Sequence, residues 1–127
     1  MNYLVMNLKE EEEILELSKK DREELKLKSH LDELILACYE ILNLITFFTV
    51  TGGKEVRAWT ITNTSTALEA GETVHSDFKK KFIRADTINW EKLTIAGSWI
   101  KAKEKAWIKT VGKDHLIQNG DVVESKI

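Results

Sequence analysis

Phe47-Phe-Thr-Val-Thr-Gly-Gly-Lys-Glu-Val-Arg-Ala-Trp-Thr-Ile61, followed after a polar link by Ala70-Gly-Glu-Thr-Val-His-Ser-Asp-Phe-Lys-Lys-Lys-Phe-Ile-Arg-Ala85, is the stretch that decides the fold. The first part holds two runs of β-branched and aromatic residues joined at Gly52-Gly53, the pattern of a β-hairpin. In the second, Val74 and Phe78 stand four apart over Glu72–Lys81, which predicts a short helix with one apolar face. Phe82 to Ile88 then reads as another strand.

Downstream, Asn89-Trp90-Glu91 opens an Asn-capped helical turn, and Ser98 to Ala106 is a second helical stretch. Trp107 to Val111 reads as a strand. His115–Gln118 and Asp121–Ile127 flank Asn119-Gly120, a strong hairpin signal. Val122 and Val123 suit a strand, but Glu124-Ser125-Lys126 is polar and predicts a sheet edge or a frayed end. Asn63 to Gly71 reads as a polar loop. Hairpin, helix, then further strands is the order of a β-grasp unit. The expected class is therefore α+β: a ubiquitin-like mixed sheet packed on a short helix over residues 44–127.

Upstream, residues 1–43 read as a separate strand and helical segment. Tyr3 to Leu8 is a candidate strand, and Lys9 to Leu17 an acidic helix whose glutamates suit the positive end of the helix dipole. Ser18 and Ser29 each stand three residues before an aspartate, a capping signal. Behind Ser29, Leu31, Leu34, Ile35, Cys38 and Leu42 make an apolar helical face, on which Cys38 is expected to be buried and inert.

Composition narrows the function classes. The chain has 127 residues, 43% hydrophobic and 31% charged, with a formal net charge of -2, which indicates neither disorder nor bulk affinity for nucleic acid. Charge is uneven: residues 1–50 hold 6 Lys/Arg against 11 Asp/Glu, and residues 51–127 hold 13 against 10. No apolar run nears the ~20 residues of a membrane helix, so no membrane partner is expected. A lone cysteine excludes an internal disulfide and fits a reducing, cytoplasmic setting.

Catalytic and metal sets are not evident. His30, His75 and His115 do not share metal-ligand spacing, and Ser76 between His75 and Asp77 makes no nucleophile–base pair. Gly52-Gly53-Lys54 precedes a glutamate and a strand, so it reads as a turn rather than a phosphate loop. The signal for function is cations near aromatics. Lys79, Lys80, Lys81 and Arg84 flank Phe82; Lys101, Lys103, Lys105 and Lys109 surround Trp99 and Trp107. Lysines neutralise phosphates and exposed aromatics stack on unpaired bases. The competing reading keeps the lysines as solvated surface and the tryptophans as core.

Glu55-Val-Arg-Ala-Trp-Thr-Ile61, Ala70-Gly71, Val74-His75-Ser76-Asp77-Phe78 and Phe82-Ile83-Arg84-Ala85, then Gly112-Lys113-Asp114 and Ile117-Gln-Asn-Gly-Asp-Val-Val123, occur in an order that resembles the C-terminal, TGS-like domain of the YchF / Obg-like ATPases. Leu17 to Leu25 and Leu31 to Ile35, followed by Tyr39, resemble that family's helical bridge. The resemblance implies an upstream P-loop nucleotidase domain handling ATP or GTP with Mg, and a ribosome or RNA contact for this region. It implies no catalytic, cofactor-binding or metal residue in this chain: Val5-Met6-Asn7 stands where the family has a Ser-Ala-like base-contact motif. Leu68 replaces a frequent proline and Ser125 a usual aromatic, expected to loosen a loop and to weaken sheet packing. The alternative function is a ubiquitin-like protein-binding module that uses a sheet edge or the Gly52-Gly53 hairpin.

Overall fold

The computed structural model describes residues 3–127, in two compact units divided between Leu42 and Asn43. The first unit is helical. Tyr3 to Asn7 form no strand, contrary to the sequence expectation, because Asn7 is already the cap of the first helix: its side chain accepts the Glu10 N–H at 3.2 Å. That helix, α1 (Leu8–Glu16), carries Glu10 and Glu11 in its first turn and buries Ile14. Helix α2 (Lys19–Glu24) starts at Ser18, whose hydroxyl accepts the Asp21 N–H and donates to the Asp21 carboxylate at 2.7 Å. Arg22 reaches back to the Leu17 and Leu15 carbonyls, satisfying orphan acceptors at the end of α1.

Helix α3 (Leu31–Ile41) is capped from a distance. Its N-cap, His30, makes no side-chain cap bond. Instead the buried Glu11 carboxylate accepts the Ser29 hydroxyl at 2.6 Å and the His30 N–H at 2.9 Å. Ser29 thus serves Glu11 as well as the Leu31 N–H. No α3 residue is buried. Ile35, Leu36, Ile41 and Leu42 are exposed, and so is Cys38, which corrects the expectation of a buried thiol. Tyr3, Leu4, Leu34, Cys38 and Ile41 line a groove of about 540 Å³.

The second unit is the β-grasp. Strands β1 (Leu44–Thr51) and β2 (Glu55–Thr62) form the expected hairpin, with Gly52 at φ 59° and Gly53 at φ 70°. Two successive positive φ values are what such a turn asks of glycine. The presumed loop 63–71 is helical from Ala67. Thr66 and Glu69 form a reciprocal capping box at the start of α4 (Ala67–Val74), a signal present in the sequence as Thr-x-x-Glu. Leu68 therefore sits in a first helical turn, where its N–H donates to the Lys113 carbonyl at 3.2 Å, a bond proline could not make. The helix expected over 72–81 is two pieces. His75 caps the end of α4, and α5 (Phe78–Lys81) is a single turn.

Strand β3 (Arg84–Asn89), helices α6 (Trp90–Ala96) and α7 (Trp99–Glu104), then strands β4 (Lys109–Val111) and β5 (Asp121–Lys126) complete the unit. Sheet order is β2-β1-β5-β3-β4, with β1 and β5 parallel and every other pair antiparallel. The polar C-terminal strand is thus central, not an edge. The Asn119-Gly120 turn does not close a hairpin; Leu116 forms only an isolated bridge to Thr66. The turn is tied to β1 instead: the Gly120 N–H donates to the Thr46 carbonyl at 2.8 Å, and the Thr46 N–H donates to the Asn119 side chain at 3.0 Å.

Alternation along the strands makes two cores. Ile45, Phe47, Ile61, Ala85 and Val123 meet Ala67 and Ala70 of α4 on one face. Val50, Ile88 and Val122 meet Ala96, Trp99 and Ala102 of α6 and α7 on the other. Ser125 falls on the α4 face, paired with Ala85, beside a cleft of about 200 Å³ walled by Val74, Phe78 and Val123.

Two predictions follow from this packing. Gly120 has φ 83°, and a Cβ there would lie 2.6 Å from Trp90 Cδ1, whereas a Cβ on Gly112 meets nothing. Gly120→Ala should cost roughly 2–4 kcal/mol in urea unfolding, and Gly112→Ala within about 0.5 kcal/mol. For Glu11, the Ser29 hydroxyl and the His30 N–H hold its carboxyl below the usual carboxylate range. Its contribution to folding is therefore complete above the unfolded-state value and is lost as pH falls through the depressed one. The His30 and Leu31 amide NMR shifts should step in that acid window, and the step should be missing in Glu11→Gln.

Candidate nucleic-acid interface

The cations singled out from the sequence do not form one surface. Lys79, Lys80 and Lys81 lie on α5, which packs with α4. Lys101 and Lys103 lie on α7, with Lys105 as its C-cap. Since α4 and α7 cover opposite faces of the sheet, the two lysine groups are separated by its thickness. Arg84 does not join its sequence neighbours: alternation places it with Asp86 and Ile88, on the α6–α7 face.

Their electrostatic surroundings differ too. Lys79 is 3.4 Å from the Glu72 carboxylate. Arg84 lies opposite Lys126, which pairs with Glu124 at 2.9 Å. Among the described residues Lys101 and Lys103 form no ion pair. The Lys105 ammonium sits 4.6 Å from the centre of the Trp107 ring, a cation–π contact. Residues 89–113 hold six lysines against two glutamates.

The tryptophans divide. Trp99 is 7% exposed and belongs to the core, so it is no stacking surface, and among the described residues nothing accepts a hydrogen bond from its indole N–H. Trp59 is half-buried and donates to Thr49 at 2.9 Å. Trp107 is half-buried beneath Lys105. Trp90, absent from both sequence clusters, is 48% exposed. Its distance from a run of lysines hid it; the signal available was its place directly after a capping asparagine.

Other chemistry has little geometry behind it. Among the described residues no three His, Cys, Asp or Glu converge as a metal site. His75 is exposed, accepts the Asp77 N–H at 3.2 Å and stands edge-on to Phe78. Burial pushes the Asp121 carboxyl up, against the Gln118 N–H that bonds it at 2.9 Å; this pair braces the Asn119-Gly120 turn. Gly52-Gly53-Lys54 links two strands, not a strand to a helix, so these residues do not fit a nucleotide phosphate.

The pattern of the family YchF-GTPase_C, described as a protein of unknown function (DUF933), matches residues 44–127. The chain belongs to the YchF family. It corresponds to the family's C-terminal region. A ribosome-binding ATPase YchF of Bacillus subtilis is 42% identical over 125 residues, covering 94% of this chain and 34% of that protein. The namesake from Buchnera aphidicola of Acyrthosiphon pisum is 48% identical over 93 residues, 73% of this chain and 25% of that one. The solved YchF GTPase of Schizosaccharomyces pombe superposes with a TM-score of 0.81 at 28% identity, covering 91% of this chain and 31% of that structure. The chain thus spans about a quarter to a third of the curated YchF relatives it matches. No helix among the described residues is long and apolar enough to cross a membrane.

The burial of Trp99 has a direct consequence. Trp99→Ala should lower stability by about 3–5 kcal/mol, read as a lower urea midpoint, because it empties the core under α7.

Proposed function

We propose that this chain is the non-catalytic interaction region of a YchF-type nucleotide hydrolase, and that it contacts the ribosome through structured RNA. The observation that carries the reading is the α6–α7 surface, where Lys101 and Lys103 are exposed and, among the described residues, form no ion pair, and a half-exposed indole lies in the same lysine-rich segment. Free ammonium groups release counterions when they meet phosphates, which gives affinity and a steep dependence on salt. The ribosome-binding names of the relatives support the choice of partner. Lys79, Lys80 and Lys81 stand as a second phosphate-contacting set on the α5 side, with Lys79 committed in part to Glu72, whereas Arg84 lies on the α6–α7 face. ATP or GTP with Mg belongs, in this reading, to a nucleotidase domain, and the exposed apolar side chains of α3 are the surface we assign to it.

Co-sedimentation with ribosomes over a salt series tests the proposal. Wild-type chain should pellet at low salt and be released as salt rises. Replacing Lys101, Lys103 and Lys105 together by alanine should weaken binding and reduce the salt slope by about 2–3. Replacing Lys79, Lys80 and Lys81 together should have the smaller effect, because Lys79 already pairs with Glu72. Pelleting that ignores salt would refute the phosphate contact and favour a ubiquitin-like module that recognises protein.

A further inference from the structure

We infer that Trp90 is a stacking platform for an unpaired base of RNA; this rests on the ribosome-contact reading and assigns it a residue. Of the four tryptophans, Trp90 is the one with about half its surface in water. It is also held in place. Asn89 caps the helix that Trp90 begins, accepting the Glu91 N–H at 2.9 Å, and the Trp90 N–H donates to the Gly120 carbonyl at 3.0 Å. The indole rests on the bare Cα of Gly120, where any Cβ would stand 2.6 Å from Cδ1 and 3.0 Å from Nε1. The turn beneath is fixed in its own right, through Gly120 and Asn119 to Thr46 and through Asp121 to Gln118.

The Cδ1–Nε1 edge of the indole is therefore seated against the Gly120 turn, and about half of the side chain is offered to solvent. Exposure alone does not mark function, since Ile95 and Ile100 on the same pair of helices are more exposed; what sets Trp90 apart is an aromatic ring held by its cap and by the Gly120 turn. The partner follows from the surroundings. Trp90 opens the 90–113 segment that carries the unpaired lysines. Helix α6, which Trp90 begins, packs with α7, which carries Lys101 and Lys103, and an exposed π-surface on the same layer as free ammonium groups suits a base with its phosphate. Bases in a duplex are already stacked, so the platform takes a base from a loop, bulge or single strand.

The test uses the full chain with labelled oligouridine and with an RNA duplex of the same length, across a salt series. Trp90→Leu keeps an apolar side chain on Gly120 but removes the π-face, and Trp90→Phe keeps a smaller one. Trp90→Leu should weaken oligouridine binding by about 5- to 150-fold, with Trp90→Phe between it and wild type. The salt slope should stay unchanged, because no phosphate contact is lost. Duplex binding should respond little to either change. Equal oligouridine affinity for wild type and a folded Trp90→Leu would overturn the inference. So would equal losses for Leu and Phe.

Photo-cross-linking of unmodified protein to 5-bromouridine RNA gives a second readout without a variant. An adduct on the peptide containing Trp90 is expected, and adducts confined to other peptides would sink the idea. The two levels separate cleanly. Wild-type chain that pellets with ribosomes in a salt-dependent way but is indifferent to Trp90 removes this inference alone. Failure of wild type to pellet removes the ribosome reading and this one with it. Ribosome binding that needs Trp90 while oligouridine neither binds nor cross-links would place a protein on the platform, and the base-stacking inference would be wrong.

Discussion

The structure depends on one pairing: the last strand, β5, lies between the first and third strands, parallel to β1 and antiparallel to β3. Before it arrives, β1 and β3 have no common neighbour, and the sheet is a hairpin plus a separate pair. Only Phe48 and Thr49 register with Val122 and Val123 in the parallel ladder. The seam is reinforced just outside it, where Asn119 and Gly120 exchange hydrogen bonds with Thr46. Because successive strand residues point to opposite faces, Val122 and Val123 are each nearly fully buried, one in each core. A single two-residue step thus joins the α4 layer to the α6–α7 layer through the sheet.

That arrangement also explains how the surface is divided. A ubiquitin-like sheet covered by one helix would leave its second face open; here α6 and α7 close much of it with Ala96, Trp99 and Ala102. The cost is that Trp99 is buried with an N–H that finds no partner among the described residues. The gain is a cover whose inner side is apolar and whose outer side carries lysines beside the exposed Trp90, Ile95 and Ile100. The helical first unit is built differently. There a buried carboxylate, Glu11, holds the start of α3, and the apolar residues of α3 remain exposed. Its helices are fixed by caps and hydrogen bonds more than by a core, and α3 presents a surface suited to a larger neighbour.

The elements legible in advance were those whose cause is local. The hairpin at Gly52-Gly53, the caps at Ser18 and Asn89, and the helices behind them require only neighbouring residues. Thr66-x-x-Glu69 is equally local, but it directly follows the polar run Asn63-Thr64-Ser65, which carries the pattern of a loop. The misreadings share a different cause. Tyr3 to Leu8 has a strand's composition but no strand beside it. Asn119-Gly120 has a hairpin's composition, but its hydrogen bonds go to Thr46, 73 residues away in the case of Asn119. Cys38 lies on a face of helical periodicity, and periodicity marks a face without supplying what covers it.

For the candidate site, residue type was readable and position was not. The sequence shows how many lysines there are and which aromatics lie near them. It could not show that Lys79–Lys81 and Lys101–Lys105 fall on opposite sides of a sheet, that Trp99 points inward, or that Trp90 stays half exposed on Gly120. What the amino-acid sequence determined by itself was the family, through the order of its motifs, the supply of charge, through composition, and the hairpin and helix starts, because these rest on contacts within a few residues. What only the tertiary structure decided was which strand is central and which indole meets solvent. Both depend on pairings between residues far apart in the chain, and no local pattern records them.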